Sequence, residues 1–202
     1  MTDQIRQTLN SCDRSLAGLL SLTTKTVFTT QDLAKLWRYK NYMSLIMRLE
    51  YLKKTGQLIK IRKGLYQIKG RAVNELELAN KLRTPSYISF ETVLFREGAI
   101  LQWDRRITLA GAESISFKIQ GQKIIFRQLQ EKILLNNLGI VQEGNYFIAI
   151  LERAVLDMIY LAPKFYFDSL DRVDFNLLHK LASLYEKKSI INLVKKMEKR
   201  YA

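Results

Sequence analysis

Thr29-Thr30-Gln31-Asp32-Leu33-Ala34-Lys35-Leu36-Trp37 is the stretch from which the first part of the chain is read. A threonine ahead of an acidic first turn signals a helix start. Its hydroxyl takes an orphan backbone N–H, and the carboxylate complements the positive end of the helix dipole. Leu33, Leu36 and Trp37 supply the apolar face. Tyr39-Lys40-Asn41-Tyr42 interrupts that stripe. A second helix is predicted over Met43 to Thr55, with Leu45, Leu49 and Leu52 on one face, Ile46 flanking it and Gly56 at its C-terminal stop. Leu58-Ile59-Lys60-Ile61 and Leu65-Tyr66-Gln67-Ile68 flank Arg62-Lys63-Gly64, which reads as a hairpin around a basic turn.

Working outward, Lys25 to Val27 form a connector or a small strand leading to Phe28. Residues 3–22 carry Ile5, Leu9, Leu16, Leu19 and Leu20 at helical spacing, with a break near Asn10-Ser11. Helix, short helix, turn, longer helix and hairpin is the element order of a winged helix-turn-helix. In that fold the second helix of the pair enters the major groove and the hairpin tip lies along the phosphate backbone.

Charge is distributed in the same pattern. The 202 residues hold 33 Lys and Arg against 19 Asp and Glu, a net +14. Residues 25–71 hold twelve basic residues and only Asp32 and Glu50 as acids, a local +10. Residues 72–179 sum to −1, and residues 180–202, with seven basic and two acidic, to +5. Positive charge concentrated in one module is the footprint of a chain that meets a polyanion there.

Turning the second helix by about 100° per residue sets Met43, Ser44, Met47, Tyr51 and Lys54 opposite the leucines, with Arg48 at the edge. The candidate DNA-binding residues are therefore Lys40, Asn41, Ser44, Arg48, Tyr51, Lys54, Arg62 and Lys63. Arg48 suits guanine and Asn41 adenine, or either holds phosphate, while Arg62 and Lys63 meet the backbone. The competing reading of each is a solvated side chain. Met43 and Met47 compete with a reading as fillers of core gaps.

Beyond a linker at Arg71 to Asn74, a short helix is expected over Asn74–Leu82. An extended segment follows around Thr84-Pro85-Ser86-Tyr87-Ile88, then a helix from Phe90 to Glu97 capped by Ser89 and ended by Gly98. Ile107-Thr108-Leu109, Ile115–Ile119 and Lys123–Arg127 read as strands, the last two joined at Gln120-Gly121-Gln122. Ile140-Val141 and Tyr146–Ile150 flank a turn at Glu143-Gly144-Asn145. Leu151–Leu161 reads as a helix stopped before Pro163. Asp174–Lys187 and Ser189–Tyr201 read as a terminal helix pair, the second with Ile190, Ile191, Val194 and Met197 inward and Lys195, Lys196, Lys199 and Arg200 outward. The fold class is thus α+β: a winged helix-turn-helix over residues 1–71, then a larger mixed α+β domain over 72–202 ending in helices.

Catalytic chemistry has few carriers here. His179 is the one histidine and Cys12 the one cysteine, which leaves no triad, disulfide or zinc site built from these types. The glycines stand singly at turns, so no phosphate-cradling loop is read. Glu91, Glu97, Asp104 and Glu113 form no metal-ligand motif, and Arg105-Arg106 reads as surface. Glu152-Arg153 reads as an acidic first turn with an exposed ion pair or partner contact, a type contributing under ~1 kcal/mol. No cofactor and no metal are expected. No apolar run approaches the length of a membrane span, and Asp3, Asp13 and Arg14 break the N-terminal block a secretion signal needs; a cytoplasmic protein is expected.

Three stretches carry a family resemblance. They are Ile61-Arg62-Lys63-Gly64-Leu65-Tyr66, Pro85-Ser86-Tyr87-Ile88-Ser89-Phe90-Glu91-Thr92-Val93-Leu94 with Gly98 beyond it, and Ile150-Leu151-Glu152-Arg153-Ala154-Val155-Leu156-Asp157-Met158-Ile159-Tyr160, with Ile107-Thr108-Leu109 between the last two. From about Phe28 onward the chain resembles the AbiEi antitoxins of type IV toxin–antitoxin and abortive-infection systems. Ile150 and Leu151 stand where that family often has a small residue and a proline. The resemblance implies a winged helix that binds inverted repeats in its own promoter and represses it. It also implies a C-terminal domain that opposes a nucleotidyltransferase-like toxin without a stable complex and aids self-association on DNA, with no enzymatic activity. Two other classes stay open on the residues themselves. One is a nucleic-acid-processing enzyme with a carboxylate–metal site in residues 84–160 and the winged helix for targeting; the other is a scaffold that binds a partner through its C-terminal helices.

Overall fold

The computed structural model describes residues 23–201 as a mixed α+β chain of eight helices and two sheets that ends in helices. The helix expected over residues 3–22 lies outside the described residues. The chain falls into two compact units, divided after Lys81.

In the first unit β1 (Phe28–Thr29) leads into α1 (Thr30–Leu36). Thr29 closes a capping box with Asp32: its hydroxyl accepts the Asp32 N–H at 3.0 Å, and the Asp32 carboxylate accepts the Thr29 N–H at 2.9 Å. Lys25 reaches the same carboxylate at 2.6 Å. Burial pushes the Asp32 carboxyl up, but the Lys25 ammonium and the Thr29 amide and hydroxyl outweigh it and lower it from 3.8 to about 2. The second helix, α2 (Tyr42–Lys54), starts one residue earlier than expected because Asn41 is its N-cap. Gly56 follows it at φ +67, where a side chain would be strained.

Strands β2 (Leu58–Arg62) and β3 (Leu65–Ile68) form the hairpin, and β1 pairs antiparallel with β3, giving the order β1-β3-β2. Leu33, Trp37, Leu45, Leu49 and Leu52 pack with Phe28, Leu58, Tyr66 and Ile68 into one core. Helix α3 (Glu75–Leu82) is held back to this unit by its first turn. The Glu77 carboxylate accepts the Thr26 N–H at 2.9 Å and hydroxyl at 2.7 Å, and Asn74 caps α3 through the Leu76 and Glu77 amides.

The second unit is built on a six-stranded sheet, ordered β6-β7-β5-β4-β9-β8. Its strands are β4 (Ser86–Ile88), β5 (Ile107–Gly111), β6 (Ile115–Ile119), β7 (Gln122–Gln128), β8 (Ile140–Glu143) and β9 (Tyr146–Ala149). The pairs β4–β9 and β5–β7 are parallel and the others antiparallel. The helices are α4 (Glu91–Arg96), α5 (Glu131–Leu134), α6 (Leu151–Leu161), α7 (Phe175–Ala182) and α8 (Lys188–Tyr201). Helix α6 packs on α4, α7 and α8.

Three local expectations are corrected. Ser89 does not cap α4; its hydroxyl bonds Asp157 at 2.7 Å. Phe90 takes the N-cap position at φ 58 with no cap of its own, and the Thr92 N–H is met by the Thr108 hydroxyl on β5 at 3.1 Å. Glu152 and Arg153 are buried rather than exposed, because every residue from Leu151 to Ile159 is enclosed by neighbouring elements. The helix expected over Asp174–Lys187 breaks into α7 and a 3₁₀ turn at Ser183–Tyr185, with Glu186 left-handed at φ 47. Met43 and Met47 lie on the outer side of α2, where the helical wheel sets them, at 67% and 70% exposed, and fill no core gap. The single-turn α5 carried no periodicity long enough to read.

Candidate nucleic-acid interface

Helix α2 is positioned from both ends. The Asn41 side-chain oxygen accepts the Met43 N–H at 2.8 Å and the Ser44 N–H at 3.3 Å. At the other end the Thr55 hydroxyl donates to the Tyr51 and Leu52 carbonyls at 3.1 and 3.2 Å. Leu45, Leu49 and Leu52 hold the inner face in the core, so the outer face is set without help from the side chains it presents.

Six of the eight candidate residues lie on α2 or just before it. Lys40, Asn41, Ser44, Tyr51 and Lys54 are exposed, and Arg48 is half-buried. The Arg48 guanidinium stacks over the Tyr51 ring, 5.6 Å from its centre, which pre-orders both. Asn41 has its oxygen engaged in capping, so it offers its amide N–H groups rather than a two-point match to adenine. Arg62 and Lys63 stand apart from these six, at the hairpin turn, with Arg62 half-buried and Lys63 exposed. That turn is tied to the start of α1: the Thr30 N–H donates to the Gly64 carbonyl at 3.0 Å.

The two acids of residues 25–71 are both engaged by lysines, Asp32 by Lys25 and Glu50 by Lys53 at 2.6 Å each. The Lys53 ammonium beside Glu50 lowers that carboxyl below its usual value, so it stays ionised and neutralised in place. The excess cations of the segment define its field. Sequence reasoning passed over Tyr42, which is 69% exposed at the head of α2. The helical wheel had already turned Met43 and Met47 outward, and that signal outranked the general habit of methionine.

In the second unit, buried polar groups converge on Asp157. Its carboxylate accepts the Tyr185 hydroxyl at 2.5 Å, the Ser89 hydroxyl at 2.7 Å, the Tyr87 hydroxyl at 3.0 Å and Arg153 Nε at 3.3 Å. Arg153 spends its other N–H groups on the Ile133 carbonyl at 2.6 Å, the Leu138 carbonyl at 2.8 Å and the Tyr87 oxygen at 3.0 Å. Burial pushes the Asp157 carboxyl up, against the pull of Arg153 and the three hydroxyls. Burial and the nearby Asp157 charge also raise Tyr87 and Tyr185, so both hydroxyls remain donors. Gly139 makes room for this cluster: at φ +74, a Cβ there would stand 3.0 Å from Arg153 Cβ. The stretches Pro85–Leu94 and Ile150–Tyr160 meet here. Glu152 does separate work, accepting the Asp174 N–H at 2.9 Å ahead of α7.

Among the described residues no group of three or more His, Cys, Asp or Glu is gathered to hold a metal, and no helix is long and apolar enough to cross a membrane. His179, on α7, pairs with Glu198 at 2.9 Å. Compared with models of known families the chain matches none, and no curated protein matches it.

Proposed function

We propose that this chain is a double-stranded-DNA-binding transcriptional repressor of the AbiEi antitoxin type. On this reading residues 1–71 form a winged helix-turn-helix, with α2 in the major groove and the Arg62-Lys63-Gly64 turn along the backbone. The observation that carries it is the coincidence of the +10 segment with an exposed, well-capped helix and a basic hairpin turn. The pairing of β1 with β3 rather than β2 supports it, since a winged helix has that strand order. The protein acts in the cytoplasm on inverted repeats in its own promoter, self-associating on DNA. Residues 72–202 oppose a nucleotidyltransferase-like toxin without a stable complex, and the chain catalyses no reaction itself. Support for this second half is the resemblance alone, sharpened by the meeting of two of its motifs around Asp157.

The test is a mobility-shift titration of the full chain on duplex DNA from its own promoter at several salt concentrations. Lys63→Ala is expected to weaken binding to all duplexes and to flatten the salt dependence. Arg48→Ala is expected to relax discrimination between duplexes by roughly 1–3 kcal/mol per lost base contact. Unchanged binding in both variants would remove α2 and the hairpin from the interface.

A further inference from the structure

We infer that the outer face of α2 reads thymine 5-methyl groups, so that the preferred duplex carries thymines where this helix meets the groove. The inference rests on the DNA-binding reading above. Its observation is apolar rather than electrostatic: Met43, Met47 and Tyr51 on that face are 67%, 70% and 54% exposed, and Tyr42 at the head of the helix is 69% exposed. One exposed apolar side chain needs no explanation, but four on one thirteen-residue helix do. They are not surplus core, because Leu45, Leu49 and Leu52 fill the inner face.

Charge names the occupant. The same helix carries Arg48, Lys53 and Lys54 against Glu50 alone, with Lys40 just before it. A partner must therefore offer apolar groups flanked by dense negative charge. The major groove of DNA does so, with thymine methyls on its floor and phosphates on both rims. The polar readers are few. Asn41 gives its oxygen to the helix cap and keeps only its amide N–H groups, so Ser44, Arg48 and the Tyr51 hydroxyl are the other hydrogen-bonding groups beside Met43 and Met47. Methionine thioethers adapt to a methyl surface without demanding one geometry.

The experiment uses the full chain. Its best duplex is selected from a random pool and resynthesised with deoxyuridine for thymidine, one position at a time, and affinities are read by fluorescence anisotropy. Deoxyuridine keeps the pairing and the O4 acceptor and removes only the methyl. Thymines are expected to be enriched in the selected site, and each contacted position to lose about threefold to fourfold in affinity on replacement. In Met47→Ala, a change at an exposed position, the ratio between thymidine and deoxyuridine duplexes is expected to fall toward one. A specifically bound site with equal affinities throughout overturns the inference and leaves the DNA reading standing. Failure to bind any duplex at low salt overturns both. A doubling of mass in sedimentation that Met47→Glu abolishes overturns the inference by assigning this face to a second copy of the chain.

Discussion

In the first unit Lys40, Lys54 and Lys63 stand in solvent around a core of aliphatic and aromatic side chains, whereas in the second Arg153 and Asp157 are fully buried. The near-neutral part of the chain therefore has the more highly charged interior. Charge left unpaired at the surface costs little to keep and creates a field that a polyanion can use. Charge taken inside must be matched donor to acceptor, and it then specifies one arrangement of the elements around it. Arg153 shows how far that matching goes: it binds carbonyls of residues 133 and 138, a tyrosine on β4 and a carboxylate one turn away on its own helix. Net charge per segment thus locates the candidate interface but says nothing about where charge matters most for folding.

The largest expected effect breaks the buried side of this contrast. Arg153→Met strands Asp157 without its cation and should destabilise the second unit by about 3–5 kcal/mol in urea unfolding. The double variant Arg153→Met, Asp157→Leu should lose less than Arg153→Met alone, because no orphaned charge remains. Equal losses would mean that the pair contributes only packing.

On the surface side, Asp32→Asn should cost about 2 kcal/mol near neutral pH, the value of a carboxyl lowered from 3.8 to about 2. The sign follows from the depressed value: the contribution is complete above about pH 4 and fades as pH falls toward 2. Unfolding curves of parent and variant should therefore converge in acid; a constant gap would assign the effect to shape rather than charge. Asn41→Ala should cost about 1 kcal/mol through the lost cap of α2, checked by thermal unfolding. Glu198→Ala, which removes the half-exposed partner of His179, should cost less than ~1 kcal/mol by the same measurement.

What was legible in the sequence was local. Thr29 with Asp32, the 45-49-52 leucine spacing, the Arg62-Lys63-Gly64 turn and the helix over 151–161 each announce themselves within a few residues, through caps and periods. Ser89 looked like a cap for the same reason, and failed because a carboxylate 68 positions away competes for its hydroxyl. Asp157 draws its donors from residues 87, 89, 153 and 185, a set that no sequence window contains. Glu152 and Arg153 looked exposed because charged residues usually are, and only tertiary partners reverse that: residues 133 and 138 and Tyr87 around Arg153, and the Asp174 N–H at Glu152. For the candidate interface, the helical wheel separated the faces of α2 correctly, since Leu45, Leu49 and Leu52 are buried while Ser44, Tyr51 and Lys54 are exposed. The capping role of Asn41 and the stacking of Arg48 on Tyr51 depend on side-chain geometry and were out of reach.

The most direct measurement is the salt dependence of duplex binding by the full chain and by Lys63→Ala. A cationic reader gives a logarithm of affinity that falls linearly with the logarithm of salt, and loss of one phosphate contact makes that slope shallower by about 1. No binding at about 50 mM salt, or identical slopes for the two proteins, would contradict the assignment of the basic unit to DNA.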